Sequence, residues 1–298
     1  MLHLLPLLSA ASLAAAPVVG GTTVEPGTWR DAVAVLSPDA VCTGTLIAPD
    51  VVLTAGHCID PAPIFVVVDT VDYGQPGGEP IRVKAAAAYP AWQDSYDVGV
   101  IVLEHAASAP PRVVAATCTA RAALVAGAAV HLVGFGLTTT TGKGENSRLH
   151  EGVVPVLDPT CADPDACMPS VSPGGEFIAG GSGVDSCFGD SGGPVYVDTP
   201  DGPALAGVVS RGYARTGPPC GAGGVYVRAD RVISWVERIT GAPIRRTRCA
   251  GAADEPVAAT TTDDAGGGCA ATRAGSPSFG LAAVLSAGLI RRRRRAPS

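Results

Sequence analysis

Eight short apolar runs rich in β-branched residues, each closed off by Gly, Pro, Asp or Ser, set the strongest limit on what this chain can fold into. They are residues 42–48 (CTGTLIA), 50–55 (DVVLTA), 64–69 (IFVVVD), 98–104 (VGVIVLE), 129–136 (AVHLVGFG), 193–197 (GPVYV), 204–210 (ALAGVVS) and 224–229 (GVYVRA). Their lengths and their residue types are those of strands. With turn-rich loops and no helical repeats between them, they predict an all-β fold of closed or nearly closed barrels. One helix is expected at the end of this region, in DRVISWVERITG. There Asp230 would cap it, Val232, Ile233, Val236 and Ile239 would form one face, and Gly241 would stop it.

Composition narrows the function classes. A hydrophobic content of 47% with 16% charge describes a compact protein with a sizeable core. The formal charge is −6, and five of the 21 basic residues are the run 291–295. The rest carries 16 basic against 27 acidic residues, which excludes nucleic acid as a partner. Nine cysteines behind an apolar opening segment indicate an oxidising compartment. Residues 2–16 read as a signal-peptide apolar region ending in small residues, with Ala14, Ala15 and Ala16 offering a cleavage site.

Three motifs carry chemistry. Residues 185–194, DSCFGDSGGP, offer Ser191 as a nucleophile. A lone serine hydroxyl attacks poorly at neutral pH, so it needs a histidine to take its proton and a carboxylate to orient that histidine. TAGHC at 54–58 supplies His57 at the end of an apolar strand, and SYDVGVIVL at 95–103 supplies Asp97 at the start of another. His3, His105, His131 and His150 lie in no such motif and read as packed or surface residues.

In this order and at these separations the motifs resemble the trypsin and chymotrypsin family of serine endopeptidases, from about Val18 to about Gly241. The resemblance implies two six-stranded antiparallel barrels with the active site in the cleft between them, and a C-terminal helix. It assigns His57 as base, Asp97 as its orienting carboxylate and Ser191 as nucleophile, with the backbone amides of Gly189 and Ser191 as the oxyanion donors. Asp185 falls at the floor of the primary pocket, where an acid selects Arg or Lys, and Gly212 and Gly224 fall at two wall positions that leave room for a long basic chain. Arg211 stands beside Ser210 where the family usually has Trp, and a cation there would disfavour basic residues near the cleavage point. Gly56 stands where Ala is usual, and is expected to loosen the turn that carries the base. VVGG at 18–21 resembles the new N-terminus of the family's zymogens, whose ammonium pairs with the carboxylate before the nucleophile, here Asp190. Because Pro17 and not a basic residue precedes Val18, export processing plus trimming is expected to expose it.

The resemblance pairs Cys42 with Cys58 and Cys187 with Cys220. Cys161 and Cys167 are close enough for a small loop bridge, and Cys118 and Cys249 have no assigned partner. Val130 and Val197 stand where many relatives carry a bridged pair, which implies apolar packing there. No cofactor and no metal is expected, since the cysteines lack zinc spacing. Asp69, Asp72 and Glu79 read as a solvated acidic loop, although some relatives bind calcium there.

The expected organisation is therefore 1–17 signal peptide and short pro-segment, 18–241 protease domain, 242–268 flexible linker and 269–298 C-terminal tail. In that tail Cys269 precedes an apolar run, 279–290, and the five arginines. Twelve apolar residues fall short of the roughly 17–25 of a spanning helix. The layout resembles the sorting tails of myxobacterial exported proteins, which implies processing near Cys269 and surface attachment or release. The expected protein is a secreted monomeric serine endopeptidase acting on proteins or peptides. The alternative is a catalytically inactive protease-like binding or adhesion protein at the cell surface.

Overall fold

The computed structural model describes residues 18–144, 146–213 and 218–249. The expected signal segment, Cys269, the apolar run 279–290 and the arginine cluster lie outside the described residues. The strands are β1 (Thr22–Thr23), β2 (Ala32–Leu36), β3 (Val41–Ala48), β4 (Val51–Thr54), β5 (Phe65–Val68), β6 (Glu79–Ala88) and β7 (Gly99–Leu103), followed by β8 (Ala129–Gly134), β9 (His150–Asp158), β10 (Glu176–Ala179), β11 (Pro194–Val197), β12 (Ala204–Gly212) and β13 (Gly224–Arg228). Two helices, α1 (Thr117–Ala123) and α2 (Ile233–Thr240), follow the first and second sets.

These strands close two six-stranded antiparallel barrels. The first runs β2-β3-β4-β7-β6-β5. In the second, the order β9-β10-β13-β12-β11-β8 is closed by β8 pairing with β9, and β1 pairs with the start of β9 on the edge that β10 takes further along. Each barrel is filled by its own inward side chains: Val33, Leu46, Val52, Val66, Ile81 and Ile101 in one, Leu132, Val154, Phe177, Val195 and Tyr226 in the other. A fully buried Val, Leu, Ile or Phe contributes about 1.5–3 kcal/mol, so the β-branched runs explain both the strands and the cores. Val130 and Val197 pack in the second core, as the loss of a bridged pair implies.

All eight runs are strands. Four barrel strands lie outside those runs: β2, whose AVAVL between Asp31 and Ser37 is a run of the same kind, and β6, β9 and β10, whose signal is weaker. In β9 the buried residues alternate correctly, yet Val153 and Leu157 on the outward face are also apolar and hide the period.

The C-terminal helix starts later than its sequence suggests. Asp230 sits in a short 3-10 turn, and its carboxylate is taken by Arg228 at 2.9 Å, so Val232 occupies the cap position without a side-chain bond. Ile239 is exposed, whereas Ile233, Trp235 and Val236 are buried. Gly241 ends the helix in the left-handed region at φ 71°. The packed chain does not end there, which corrects the expected linker start at residue 242. Ile244 is buried, Val114 N donates to Arg245 O and Thr247 N to Val114 O, and Cys249 is bridged to Cys118. The other bridges are Cys42–Cys58, Cys161–Cys167 and Cys187–Cys220.

His150 at the start of β9 is buried, and its Nδ1 has no hydrogen-bond partner among the described residues. Burial, with Arg148 nearby, pushes its pKa down to about 4. The folded state thus resists protonation. The stability this contributes is full above the ordinary imidazole range and is lost as pH falls through about 4, an effect of up to about 3 kcal/mol. Replacing His150→Gln is expected to flatten the fall in stability between pH 6.5 and 4, read by urea denaturation at each pH.

Candidate active site

The 3-10 turn that follows β4 (Gly56–Ile59) carries His57, with the adjoining Cys58 bonded to Cys42 on β3. Its backbone N–H donates to Asp97 Oδ1 at 3.0 Å, and its Nδ1 lies 2.9 Å from Asp97 Oδ2. The two bonds to one carboxylate fix both the turn and the ring, and with the proton on Nδ1 the Nε2 atom is left free to accept. Gly56 does not loosen this turn. A methyl there would come within 2.9 Å of Trp92 and 3.1 Å of Asp97 Oδ1, so Trp92 fills the space an alanine would use.

Asp97 lies two residues before β7 and is buried. Burial pushes its carboxyl up. The hydrogen bonds and charge of His57, with a 2.7 Å bond from Ser210 Oγ, outweigh that and hold it below the usual carboxylate range.

Ser191 lies in the loop before β11, in the second barrel, yet the first barrel seats it. Thr43 on β3 donates its N–H to Ser191 O at 2.9 Å, and its hydroxyl donates to Gly189 O at 2.8 Å while accepting from Phe135 N. Gly192, at φ +80°, allows this approach: any side chain there would collide with Thr54 Oγ1 and Thr43 O. Gly189 is likewise left-handed, at φ +99°. Among the described residues the N–H groups of Gly189 and Ser191 donate to no protein acceptor, a pair of unspent donors beside the hydroxyl.

His57, Asp97, Ser191, Ser210, Arg211 and Gly212 line one cavity of about 460 Å³, together with Trp92, Phe188, Ser186 and the Cys187–Cys220 bridge. A cavity of about 500 Å³ bordered by Trp29, Arg112 and Pro203 contains none of these residues, and the Arg112 guanidinium within it is bound to Asp31. His105, His131 and His150 lie outside the cleft lining, and His3 lies outside the described residues.

Asp185 and Gly224 do not reach the cleft lining. Asp185 is buried behind Ser186, where its carboxylate accepts from Ser186 N, Gly221 N and Gly223 N at 2.8–2.9 Å. Burial raises its pKa against those bonds. Of the two glycines expected to leave room, Gly212 is exposed, and among the described residues the nearest atom to an added methyl is Pro219 O at 3.7 Å. Gly224 is packed, since a methyl there would lie 2.7 Å from the Tyr226 hydroxyl and 3.0 Å from Ser186 Oγ.

Arg211 is not a free cation. Its guanidinium grips the wholly buried carboxylate of Glu176 on β10 through Nη1–Oε1 at 2.7 Å and Nη2–Oε2 at 3.0 Å, so the expected repulsion of basic residues is neutralised at its source. Nothing in the sequence around Glu176 signals this partnership.

Asp190 is wholly enclosed and accepts from Gly136 N and Cys187 N, each at 2.8 Å. No cation pairs with it among the described residues, and burial pushes its pKa up to about 7. Val18 is buried in the second barrel's core, and Val19 pairs with Asp185 in an isolated antiparallel bridge. The three acids of the 69–79 region are engaged separately: Asp69 with Arg30, Asp72 with Arg148 and Gly74 N, and Glu79 with Ser108.

Thr43→Val keeps the shape but removes the hydroxyl that Gly189 O and Phe135 N use. Its expected effect is a loss of about 1–3 kcal/mol, measured by urea denaturation, with the fold retained by circular dichroism.

Comparison with known proteins bears on the family and the fold. The family model described as Trypsin matches residues 18–236. A trypsin from Saccharopolyspora erythraea is 34% identical over 224 residues, covering 71% of this chain and 92% of that protein. Among solved structures, neuropsin, a serine protease expressed in the limbic system of mouse brain, superposes with a TM-score of 0.62 at 26% identity, over 74% of this chain and 98% of its own.

Proposed function

The chain belongs to the trypsin family of serine endopeptidases, and on that premise we propose that it hydrolyses peptide bonds through Ser191, His57 and Asp97, cutting after Arg or Lys. The observation that carries this reading is the doubly bonded His57–Asp97 pair on the same cavity as Ser191, with two amide donors unspent beside it. His57 Nε2 takes the Ser191 proton as Oγ attacks the carbonyl carbon, and Asp97 stabilises the imidazolium that forms. The oxyanion accepts from the N–H groups of Gly189 and Ser191, each donor contributing about 2.7–4 kcal/mol. The C–N bond then breaks, and the imidazolium gives its proton to the departing amine. A water deprotonated by the same ring attacks the acyl carbon, the bond to Ser191 Oγ breaks, and the imidazolium returns its proton to Oγ as the acid leaves.

The preference for Arg or Lys rests on Asp185. It lies one residue deeper than Ser186 and Cys187 of the cleft wall, and a buried carboxylate gains most from an incoming cation. Labelling by a serine-directed phosphonate, abolished by Ser191→Ala, and peptide-library cuts after basic residues that weaken in Asp185→Ser are the expected results. Preferred cuts after large apolar residues would overturn the specificity; absence of labelling in correctly matured protein would overturn the mechanism.

In the same reading the protein is exported, as four disulfides suit an oxidising compartment, and acts as a monomer released or held at the cell surface through its Cys269 tail. Removal of residues 1–17 gives Val18 a free ammonium that pairs with Asp190. In the chain still carrying Pro17, the folded state resists ionising Asp190, so stability is full below the ordinary carboxylate range and falls as pH rises through about 7. A chain beginning at Val18 is expected to escape that fall, gaining up to about 4 kcal/mol at pH 8 over the Pro17 form. Denaturation of the two forms at pH 5 and pH 8 measures it; an equal pH dependence in both would sink the pairing.

A further inference from the structure

One oxygen of Asp97 serves two donors. His57 Nδ1 lies 2.9 Å from Oδ2, and Ser210 Oγ donates to the same atom at 2.7 Å. A hydroxyl has a single proton, so the Ser210 bond to Asp97 depends on what else that hydroxyl meets. It meets Arg211, whose Nη1 donates to Ser210 Oγ at 3.2 Å. A guanidinium cannot accept, which leaves the hydroxyl to accept there and to spend its proton on Asp97.

The guanidinium is itself immobilised. Nε and Nη2 donate to Ala166 O at 3.2 and 2.7 Å, and Nη1 and Nη2 to the two oxygens of Glu176. With the bond to Ser210, every guanidinium N–H has an acceptor, so none remains for a substrate. Glu176, wholly buried, also accepts from Met168 N at 2.7 Å and Ser172 Oγ at 3.3 Å. The result is a continuous run of hydrogen bonds from the loop closed by Cys161–Cys167, through Glu176, Arg211 and Ser210, to Asp97 and His57.

We propose that Arg211, clamped by Glu176, is a positioning residue of the reaction: it orients and polarises the Ser210 hydroxyl toward Asp97 and thereby sets the strength of the Asp97–His57 bond. This rests on the reading of Ser191, His57 and Asp97 as the catalytic centre. A charged donor strengthens the next bond along a chain of hydrogen bonds. Because Ser210 and His57 share Oδ2, a more polarised Ser210 proton withdraws electron density from the atom that holds His57. Arg211 thus acts through two intermediates and touches no reacting atom.

Arg211→Met alone would leave Glu176 buried without its cation, a change that destabilises in its own right. The test variant is therefore Arg211→Met with Glu176→Met, an exchange of a buried ion pair for apolar volume that is commonly tolerated. The readout is the low-field proton NMR resonance of His57 Nδ1–H at fixed pH in a Ser191→Ala background, which needs no turnover. We expect it to move downfield in the double variant, to move similarly in Ser210→Ala, and to move no further when the changes are combined. Glu176→Gln, which keeps an acceptor for Arg211 and guards against a folding failure of the double variant, is expected to move the resonance the same way by less. With Ser191 in place, the double variant should lose roughly threefold to tenfold in kcat on a single-residue acyl-arginine amide, with KM within about twofold. An unmoved resonance in folded Glu176→Gln and double variants would overturn the proposal. So would a loss confined to KM for long peptides, which would make Arg211 a wall of the cleft only. Absence of any hydrolysis by the Ser191 chain would instead count against the catalytic reading, and the resonance would still decide this one.

Discussion

Thr43 holds the two barrels in the one relation that matters for the site. Its N–H and hydroxyl bind the carbonyls of Ser191 and Gly189, and its own carbonyl accepts from Thr54 Oγ1. Thr43 and Thr54 are wholly buried and the carbonyls of Ser191 and Gly189 are partly so, and a buried group left without its partner costs about 1–3 kcal/mol. That penalty locks the 185–194 loop of the second barrel onto strands β3 and β4 of the first. Since β4 leads directly into the turn of His57, the same seam that fixes the hydroxyl also fixes the position of the base. The approach is close enough that residue 192 has no room for a side chain.

Around that seam the centre is built from charges that are buried with different degrees of compensation. Asp97 is the best served, with His57 and Ser210 donating three hydrogen bonds, and its carboxyl is held down. Asp185 has three backbone donors and still rises, and Asp190 has two and rises further, to about 7. The order follows burial together with the donors: Asp190 is the most deeply enclosed, has the fewest donors and also feels the charge of Asp185, whereas Asp97 has the charged partner. The two acids left under-compensated are the two to which the proposed function gives a cation: a substrate side chain for Asp185 and a new N-terminus at Val18 for Asp190. Burial without full compensation is unfavourable in the resting chain and becomes binding energy when the cation arrives.

Much of this was legible in the sequence, and the reasons for the rest are physical. The eight β-branched runs announced eight of twelve barrel strands because buried strands need apolar residues on their inward face. Strand β6, with four consecutive alanines, and β10, with Glu176 at its head, are strands only because neighbours on both sides supply the pairing. The site motifs pointed to His57, Asp97 and Ser191, which line one cleft, because each sits in a short contiguous signature. Residues that act through distant partners left no local signature. Thr43, Glu176 and Trp92 lie 148, 15 and 99 positions from Ser191 and carry no motif of their own. The short capping signal at Asp230 misled because Arg228, two residues earlier, offers its carboxylate a stronger, charged partner than a helix N–H.

The pairing of Arg211 with Glu176 shows how a departure at one cleft position is absorbed by another. A guanidinium introduced alone beside Ser210 would carry an unscreened charge into a mostly apolar cleft, and a carboxylate introduced alone at Glu176 would be buried with only Met168 N and Ser172 as donors. Each change alone is unfavourable, and together they satisfy one another in a bidentate bond. The two positions are therefore coupled, and neither is interpretable from its own residue type. A wall that packs through an ion pair is also more directional than one that packs through an aromatic ring, because the guanidinium plane is fixed by four acceptors from three segments of chain. That rigidity sits one hydrogen bond from Asp97, so the chemistry of the cleft wall and the geometry of the base are set by the same pair of residues.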